Sequence, residues 1–267
     1  MDEPTFRITE GAPDSPVLLH VPHSARAVPH HVRERILLDD AELASELDHM
    51  TDAYTDVIAA RAAAATGAWQ FTNLLSRLVV DPERFPDERE EMRAVGMGAV
   101  YTRTSHGVPL REHEPRHERV LLDAYFDPYA AAMTAAVQDR LAATGRAVVI
   151  DVHSYPAAPL PYELHGDGPR PAVCLGTDAF HTPAWLLEAA REAFAPCGGV
   201  GLDSPFAGTY VPLKHYGEVR EVSALMVEIR RDGYMTEPAG APGEGLNRFG
   251  DALAALVAAV GAGCGAG

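Results

Sequence analysis

Short apolar runs separated by longer stretches of helical spacing constrain this chain more than any other feature. Residues 17–21 (VLLHV), 69–75, 147–152 (AVVIDV), 172–175 and 225–229 (LMVEI) read as strands, and several are apolar at nearly every position. A strand that lacks polar alternation is buried on both faces, as in a parallel sheet covered by helices on either side. The intervening segments supply those helices. Residues 40–66 place Leu43, Leu47, Met50, Tyr54, Val57 and Ile58 at helical spacings. Residues 115–144 do the same with Val120, Leu121, Tyr125 and Tyr129, with a break expected at Pro128. Residues 183–194 and 246–260 complete the set. The alternation predicts an α/β fold, a single three-layer αβα domain over residues 1–267 with a mostly parallel or mixed central sheet. No repeat or linker divides the 267 residues. Residues 85–115, polar and rich in charge, Gly and His, predict a long functional loop. The glycine-rich tail, 261–267, is expected to fray.

Composition removes several classes of function. Hydrophobic residues make up 47% and charged residues 22%, which excludes a disordered or fibrous chain. The 22 basic residues stand against 38 acidic ones, a net charge of −16, which argues against a nucleic-acid partner. No run of 18 apolar residues occurs, so no membrane span is expected, and the polar N-terminus carries no secretory signal pattern. Cys174, Cys197 and Cys264 lack CxxC spacing, which speaks against a disulfide framework or a thiolate zinc site and for a reducing cytoplasm. Lys214 is the only lysine. Arginines therefore carry the positive charge, and their fork geometry suits carboxylates.

In open α/β sheets ligands bind beyond the carboxyl ends of the strands, so residues there carry the chemistry. Pro22-His23-Ser24 follows the first apolar run, and His153-Ser154-Tyr155-Pro156 follows the third, with Asp151 two residues before His153. Glu228 sits in the last run, ahead of Arg230 and Arg231. Two histidines and a carboxylate arriving from three strands match a divalent metal site, zinc first, with three protein ligands and an open position. Glu228 is then a general base beside the metal, or else a structural partner of a neighbouring arginine. Asp151 is placed to orient His153. For the third ligand, Asp48 and Asp52 fall at i, i+4 on the 40–66 helix, with Asp56 continuing the row; Asp52 is preferred, Asp48 is the alternative, and a solvated acidic face is the competing account. Arg77 and Arg84, after the second run, point to a small anionic substrate, or Arg84 pairs structurally with Asp81. Arg103 in the long loop is a third candidate.

Six motifs occur in order: VPHS at 21–24, LDHMTDAYTD at 47–56, SRLVVDPER at 76–84, IDVHSYP at 150–156, FAGTYVP at 206–212 and MVEIRRDGYM at 226–235. Together they resemble the N-formylglutamate amidohydrolase family, and IDVHS and VEIRR are also similar to strands of zinc carboxypeptidases, whose fold that family shares. The resemblance implies His23, His153 and an acid such as Asp52 as ligands of one divalent metal, zinc, and Glu228 as acid/base. It implies Arg77 and Arg84, with Arg103 and Tyr210, as substrate contacts, Arg77 also serving the oxyanion. The implied reaction releases formate and glutamate, the last step of one histidine-degradation route. The chain departs from the family pattern at Ala25, where Gly is common, at Ala130, where His is common, and at Pro82-Glu83, where Asn precedes the Arg. The carboxypeptidase HxxE spacing is absent, since Arg26 stands three after His23. Two other readings use the same residues: a broader N-acyl-amino-acid or carboxypeptidase-like hydrolase, and a carboxylate-binding protein without turnover.

Overall fold

A computed structural model of the chain describes residues 4–164 and 166–262. Seven strands form one sheet: β1 (Phe6–Thr9), β2 (Val17–Val21), β3 (Trp69–Asn73), β4 (Ala147–Tyr155), β5 (Val173–Gly176), β6 (Val200–Leu202) and β7 (Val222–Arg230). Their order is β1-β3-β2-β4-β7-β5-β6. The four central strands β3, β2, β4 and β7 are mutually parallel, β1 is antiparallel to β3, and β5 is antiparallel to β7, so the sheet is mixed. β1 and β6 escape sequence reading because they are short and lie at the two edges, where half-exposed residues leave no apolar run.

The helices are α1 (His30–Arg33), α2 (Asp40–Met50), α3 (Thr55–Thr66), α4 (Pro115–Leu121), α5 (Asp127–Thr144), α6 (Ala184–Phe194) and α7 (Gly245–Ala262). Side-chain parity along the central strands assigns the layers. Val17, Leu19 and Val21 of β2, Val148, Ile150 and Val152 of β4, and Leu225, Val227 and Ile229 of β7 pack in one core with α3, α6 and α7. Leu18, Val149, Val222 and Ala224 face the other way, against Tyr129, Met133 and Val137 of α5. Cys174 and Cys197 are buried free thiols. α7 runs through residue 262, so the first two residues of the expected frayed tail are helical; residues 263–267, including Cys264, lie outside the described residues.

Two helix expectations are corrected. Residues 40–66 form two helices rather than one: the chain turns extended at Thr51 and left-handed at Tyr54, φ 67°, before α3 begins. Hydrogen bonds hold this turn, since Asp52 N–H donates to the His23 carbonyl (3.0 Å) and the Thr55 hydroxyl donates to the Asp52 carbonyl (2.7 Å). Residues 115–144 do break near Pro128, but as a π-type turn over Leu122–Phe126, after which Pro128 sits in the first turn of α5 where its missing N–H costs nothing. The 85–115 segment is mostly irregular, with one 3₁₀ turn over Glu91–Val95.

Ile150 is fully buried in the larger core between β4 and the α3/α7 layer. Ile150→Ala is expected to cost about 2–5 kcal/mol of stability, read from the midpoint of a urea unfolding curve. A loss below about 1 kcal/mol would show that the site relaxes around the deletion.

Candidate functional site

The layer parity builds the site. α5 covers the first half of its face of the sheet; beyond Leu18, Val149 and Ala224 the same parity continues as His20 on β2, Asp151 and His153 on β4, and Glu228 on β7. His20 is the register partner of Asp151, and His153 of Glu228. His153 and Glu228 thus lie within strands rather than after them. The helix leaves this half of the face open, and a cavity of about 570 Å³ forms over it, lined by His23, Arg77, Glu83, Arg84, His153, Tyr210 and Glu228 among others.

Beside it, on two of its lining histidines and the buried Asp52, three atoms converge. His23 Nδ1 lies 3.2 Å from His153 Nδ1, His153 Nδ1 lies 3.1 Å from Asp52 Oδ2, and His23 Nδ1 lies 3.7 Å from the same oxygen. The other ring nitrogens are committed elsewhere. His23 Nε2–H donates to Asp81 Oδ1 (2.9 Å), and His153 Nε2 faces Asp151 Oδ1 (3.0 Å) and Glu83 Oε2 (3.1 Å). Two imidazole nitrogens thus meet one carboxylate oxygen, which can accept a proton-mediated hydrogen bond from either ring. With those protons removed the three atoms could share a cation. Four ligands at about 2.0–2.1 Å around a tetrahedral ion stand about 3.4 Å apart, so the spacing of these three fits a divalent metal with one position left open.

The surrounding residues fix that geometry. Arg231, buried, donates from Nη2 to Asp52 Oδ1 (2.9 Å), from Nη1 to the His49 carbonyl (2.6 Å) and from Nε to Ser154 Oγ (3.1 Å), which leaves Oδ2 free for the histidines. Asp151 accepts from His20 Nδ1–H (2.9 Å) and from the Tyr210 N–H (3.3 Å), while the Tyr129 hydroxyl donates to His20 Nε2 (2.7 Å). Asp81, fully buried, accepts from Arg77 Nη2 (2.7 Å) and the Tyr101 hydroxyl (2.5 Å), with Arg84 Nε 3.6 Å away. Burial alone would raise these three carboxyls. Their partners outweigh it: His153, His23 and Arg231 hold Asp52 well below the usual carboxylate range, His153 and His20 do so for Asp151, and Arg77, His23 and Arg84 for Asp81.

Glu228 behaves oppositely. Burial pushes its pKa up to about 8, the nearby Asp52 charge adding to the shift against the pull of His153. Its Oε2 has no hydrogen-bond partner and it forms no ion pair, so the account in which a neighbouring arginine neutralises it fails. Arg230 pairs instead with Asp232 (2.8 Å), and Arg231 with Asp52.

Other sequence candidates are dispersed. Asp48 and Asp52 do not share a helical face, because α2 ends between them; Asp48 pairs with Arg26 at 2.7 Å near the surface while Asp52 turns into the site. Asp56 falls in the first turn of α3, near the helix N-terminus where a carboxylate is favoured. Arg77 and Arg84 reach the cavity wall, and Arg84 also flanks the Asp81 carboxylate, so both accounts of it hold. Tyr210 reaches the wall with its ring 4.6 Å from His20. Arg103 does not: it is exposed and donates to the Gly107 carbonyl (2.7 Å). Sequence reasoning passed over His20, Asp81 as the hub of the arginines, Glu83, Tyr101 and Arg231. A polar residue inside VLLHV was the available signal for His20; nothing local marked the rest. Among the described residues three acid–histidine groups bring ligand atoms within 4.8 Å of one another: His23–Glu83–His153 and His20–Glu83–Asp151 in this site, and Glu46–His49–His106 near the surface. In the last, Glu46 already accepts from the Ser105 N–H and hydroxyl.

Fold and site define an α/β protein with a buried histidine–carboxylate cluster beside an open cavity. The chain belongs to the N-formylglutamate amidohydrolase family, whose model matches residues 15–235. It is similar to the crystal structure of N-formylglutamate amidohydrolase from Ralstonia eutropha JMP134, with a TM-score of 0.81 and 19% identity over 96% of this chain and 97% of that one. It is also similar to a gene product of Agrobacterium tumefaciens, with a TM-score of 0.66 and 18% identity over 85% of each chain. At these identities the likenesses establish the fold. No curated protein sequence matches the chain.

A stability prediction follows from Glu228. Its folded pKa, about 8, stands above its ordinary 4.5, so the folded state holds this proton more tightly than the unfolded state. Stability from that proton is fully present below the ordinary value and is lost as pH rises toward 8. In metal-free protein, Glu228→Gln is expected to flatten the fall in stability between about pH 5 and 8, measured by thermal unfolding at several pH values. Parallel pH dependences in the two proteins would show that Glu228 is not held protonated.

Proposed function

We propose that this chain is a metal-dependent amidohydrolase, a single cytoplasmic catalytic domain that cleaves the formyl amide of N-formyl-L-glutamate to formate and L-glutamate in a histidine-degradation route. One observation carries the reading: His23 and His153, whose Nδ1 atoms meet Asp52 Oδ2 on one side, line with Glu228, whose Oε2 has no hydrogen-bond partner, a cavity walled by Arg77 and Arg84. Family membership supports the choice of a formyl amide. The kinship to zinc carboxypeptidases drawn from IDVHS and VEIRR belongs to the same reading.

His23, His153 and Asp52 would hold the ion, and zinc suits two imidazoles and one carboxylate. When bound, the ion supplies Lewis acidity and makes water in the site acidic enough to react at neutral pH. The chain's own residues do the rest. Glu228 accepts the proton of the attacking water and delivers it to the leaving amine nitrogen; a carboxyl displaced toward neutrality by burial can move a proton in both directions near pH 7. Arg77, locked by Asp81 and Tyr101, presents its remaining N–H groups to the oxygen that gains charge as the amide carbon becomes tetrahedral. Arg84 and Tyr210 orient the substrate. Asp151 and Asp81 hold the two imidazoles in the tautomer that keeps each Nδ1 unprotonated.

Purified protein loaded with zinc is expected to contain about one ion per chain and to release formate from N-formylglutamate. Glu228→Gln is expected to lower kcat by about 10²–10⁴-fold with metal content unchanged. Substantial residual turnover in that variant would remove Glu228 from the proton-transfer role, and a protein that neither binds metal nor releases formate would overturn the reading. Arg231→Met removes the hold on Asp52 and is expected to weaken zinc affinity by about 10–100-fold, measured by competition with a chromophoric chelator. Unchanged affinity would show that Asp52 is not a ligand.

A further inference from the structure

A separate cluster of metal-ligating side chains lies outside the cavity, at the carboxyl end of α2. Glu46 and His49 stand at i, i+3 near the end of that helix and so project from one side of it. A Glu-x-x-His pair on one helical face is a recurrent way of presenting a carboxylate and an imidazole to one ion. His106 comes from the long polar loop, and one ligand atom from each of the three side chains falls within 4.8 Å of the other two. The rings of His49 and His106 are 5.0 Å apart between centroids. Neighbouring ligands around a tetrahedral ion stand about 3.4 Å apart, and rotation of the exposed His106 ring covers the difference.

Two features separate this cluster from a solvated group of polar side chains. Glu46 is only 4% exposed, yet among the described residues no arginine or lysine pairs with it; its oxygens accept from the Ser105 N–H (2.6 Å) and hydroxyl (2.8 Å), both neutral donors. Those bonds position the carboxylate but leave its charge uncompensated, and each oxygen keeps a further lone pair. His49 falls in the last turn of α2, where the partial negative charge of the helix end also favours a cation. The second feature is that the loop is built to hold its histidine. The Thr104 hydroxyl accepts from the N–H groups of His106 (3.3 Å) and Val108 (3.0 Å), and the Thr104 N–H donates to the Val108 carbonyl (2.8 Å). The Ser105 hydroxyl lies 3.0 Å from His106 Nδ1, so the residue that anchors Glu46 also contacts His106.

We propose that Glu46, His49 and His106 form a second divalent-metal site, selective for an ion such as zinc over magnesium or calcium, which staples the turn at 104–108 to the end of α2. Two imidazoles and one carboxylate set that preference, since magnesium and calcium favour all-oxygen ligand sets. With three ligands and an exposed His106, the site exchanges its ion more readily than the buried cluster at the cavity; it fills when zinc is in excess and adds to the single ion that purified protein retains. The site also adjoins the support of Asp52. The His49 carbonyl accepts from Arg231 Nη1 (2.6 Å), and Arg231 Nη2 donates to Asp52 Oδ1 (2.9 Å), so an ion on His49 braces the helix end that positions this guanidinium. The proposal does not depend on the amidohydrolase reading.

Metal-free protein is titrated with zinc by calorimetry, and its unfolding temperature is followed as zinc rises from about equimolar to about tenfold excess. The wild type is expected to show a zinc-binding event that His106→Ala lacks, and to gain thermal stability over that range where the variant gains none. Magnesium is expected to produce neither effect. An event or a zinc-dependent stabilisation that persists in His106→Ala, or that is missing from the wild type, would overturn the proposal, as would equal stabilisation by magnesium. Because the readout is the event lost with His106, failure of the cavity cluster to bind zinc would remove the amidohydrolase reading and leave this site standing.

Discussion

Two imidazole nitrogens and a carboxylate oxygen held within 3.1–3.7 Å of one another form the contact on which the rest of this structure depends. Lone pairs so close repel unless a cation lies among them, and burial strengthens that repulsion by excluding water. In metal-free protein protons can fill the role, which accords with the rise of the His153 pKa caused by Asp151, Glu83 and Asp52 against the opposing effect of burial. A metal ion in the proposed site would have the same partners and would displace those protons. Asp81, Asp151 and Arg231 then make sense as one system. Each is buried, and each fixes the orientation of His23, His153 or Asp52.

The fold supplies this contact through parity and register rather than through loops alone. β2, β4 and β7 run parallel and adjacent, so His20, Asp151, His153 and Glu228 share one face by alternation, at heights fixed by the ladder pairs. His23 enters one step past β2, and its backbone carbonyl receives the Asp52 N–H that turns α2 into α3. Rigid strands thus hold His153 and Glu228, and a hydrogen-bonded turn holds Asp52. A site built this way tolerates little displacement, which suits chemistry that depends on ligand spacings of a few tenths of an ångström.

Much of this was legible in the chain. Apolar runs with a single polar interruption gave the central strands, because a buried strand leaves no other place for apolar side chains. His23, His153 and Glu228 stood out because a polar residue at or in such a run needs a reason. Asp52 was preferred for a reason that does not hold: the i, i+4 argument assumed a continuous helix, and helical spacing alone cannot reveal the left-handed residue at Tyr54 that breaks it. Edge strands were invisible because half-exposed segments carry no pattern. Asp81 was read only as a partner of Arg84, and Tyr101 and Arg231 were passed over because their partners lie 20 and 179 residues away, which no local motif encodes. Arg103 was overvalued, since an arginine in a polar loop looks alike whether it meets substrate or a nearby carbonyl.

The most direct test of the central claim is a crystal structure of the zinc-loaded protein with anomalous data collected at the zinc edge. The account places the anomalous peak among His23 Nδ1, His153 Nδ1 and Asp52 Oδ2, with both Nε2 atoms still turned to Asp81 and Asp151. A peak on the Nε2 side, ligated by Glu83, or no peak in this cavity, would contradict it.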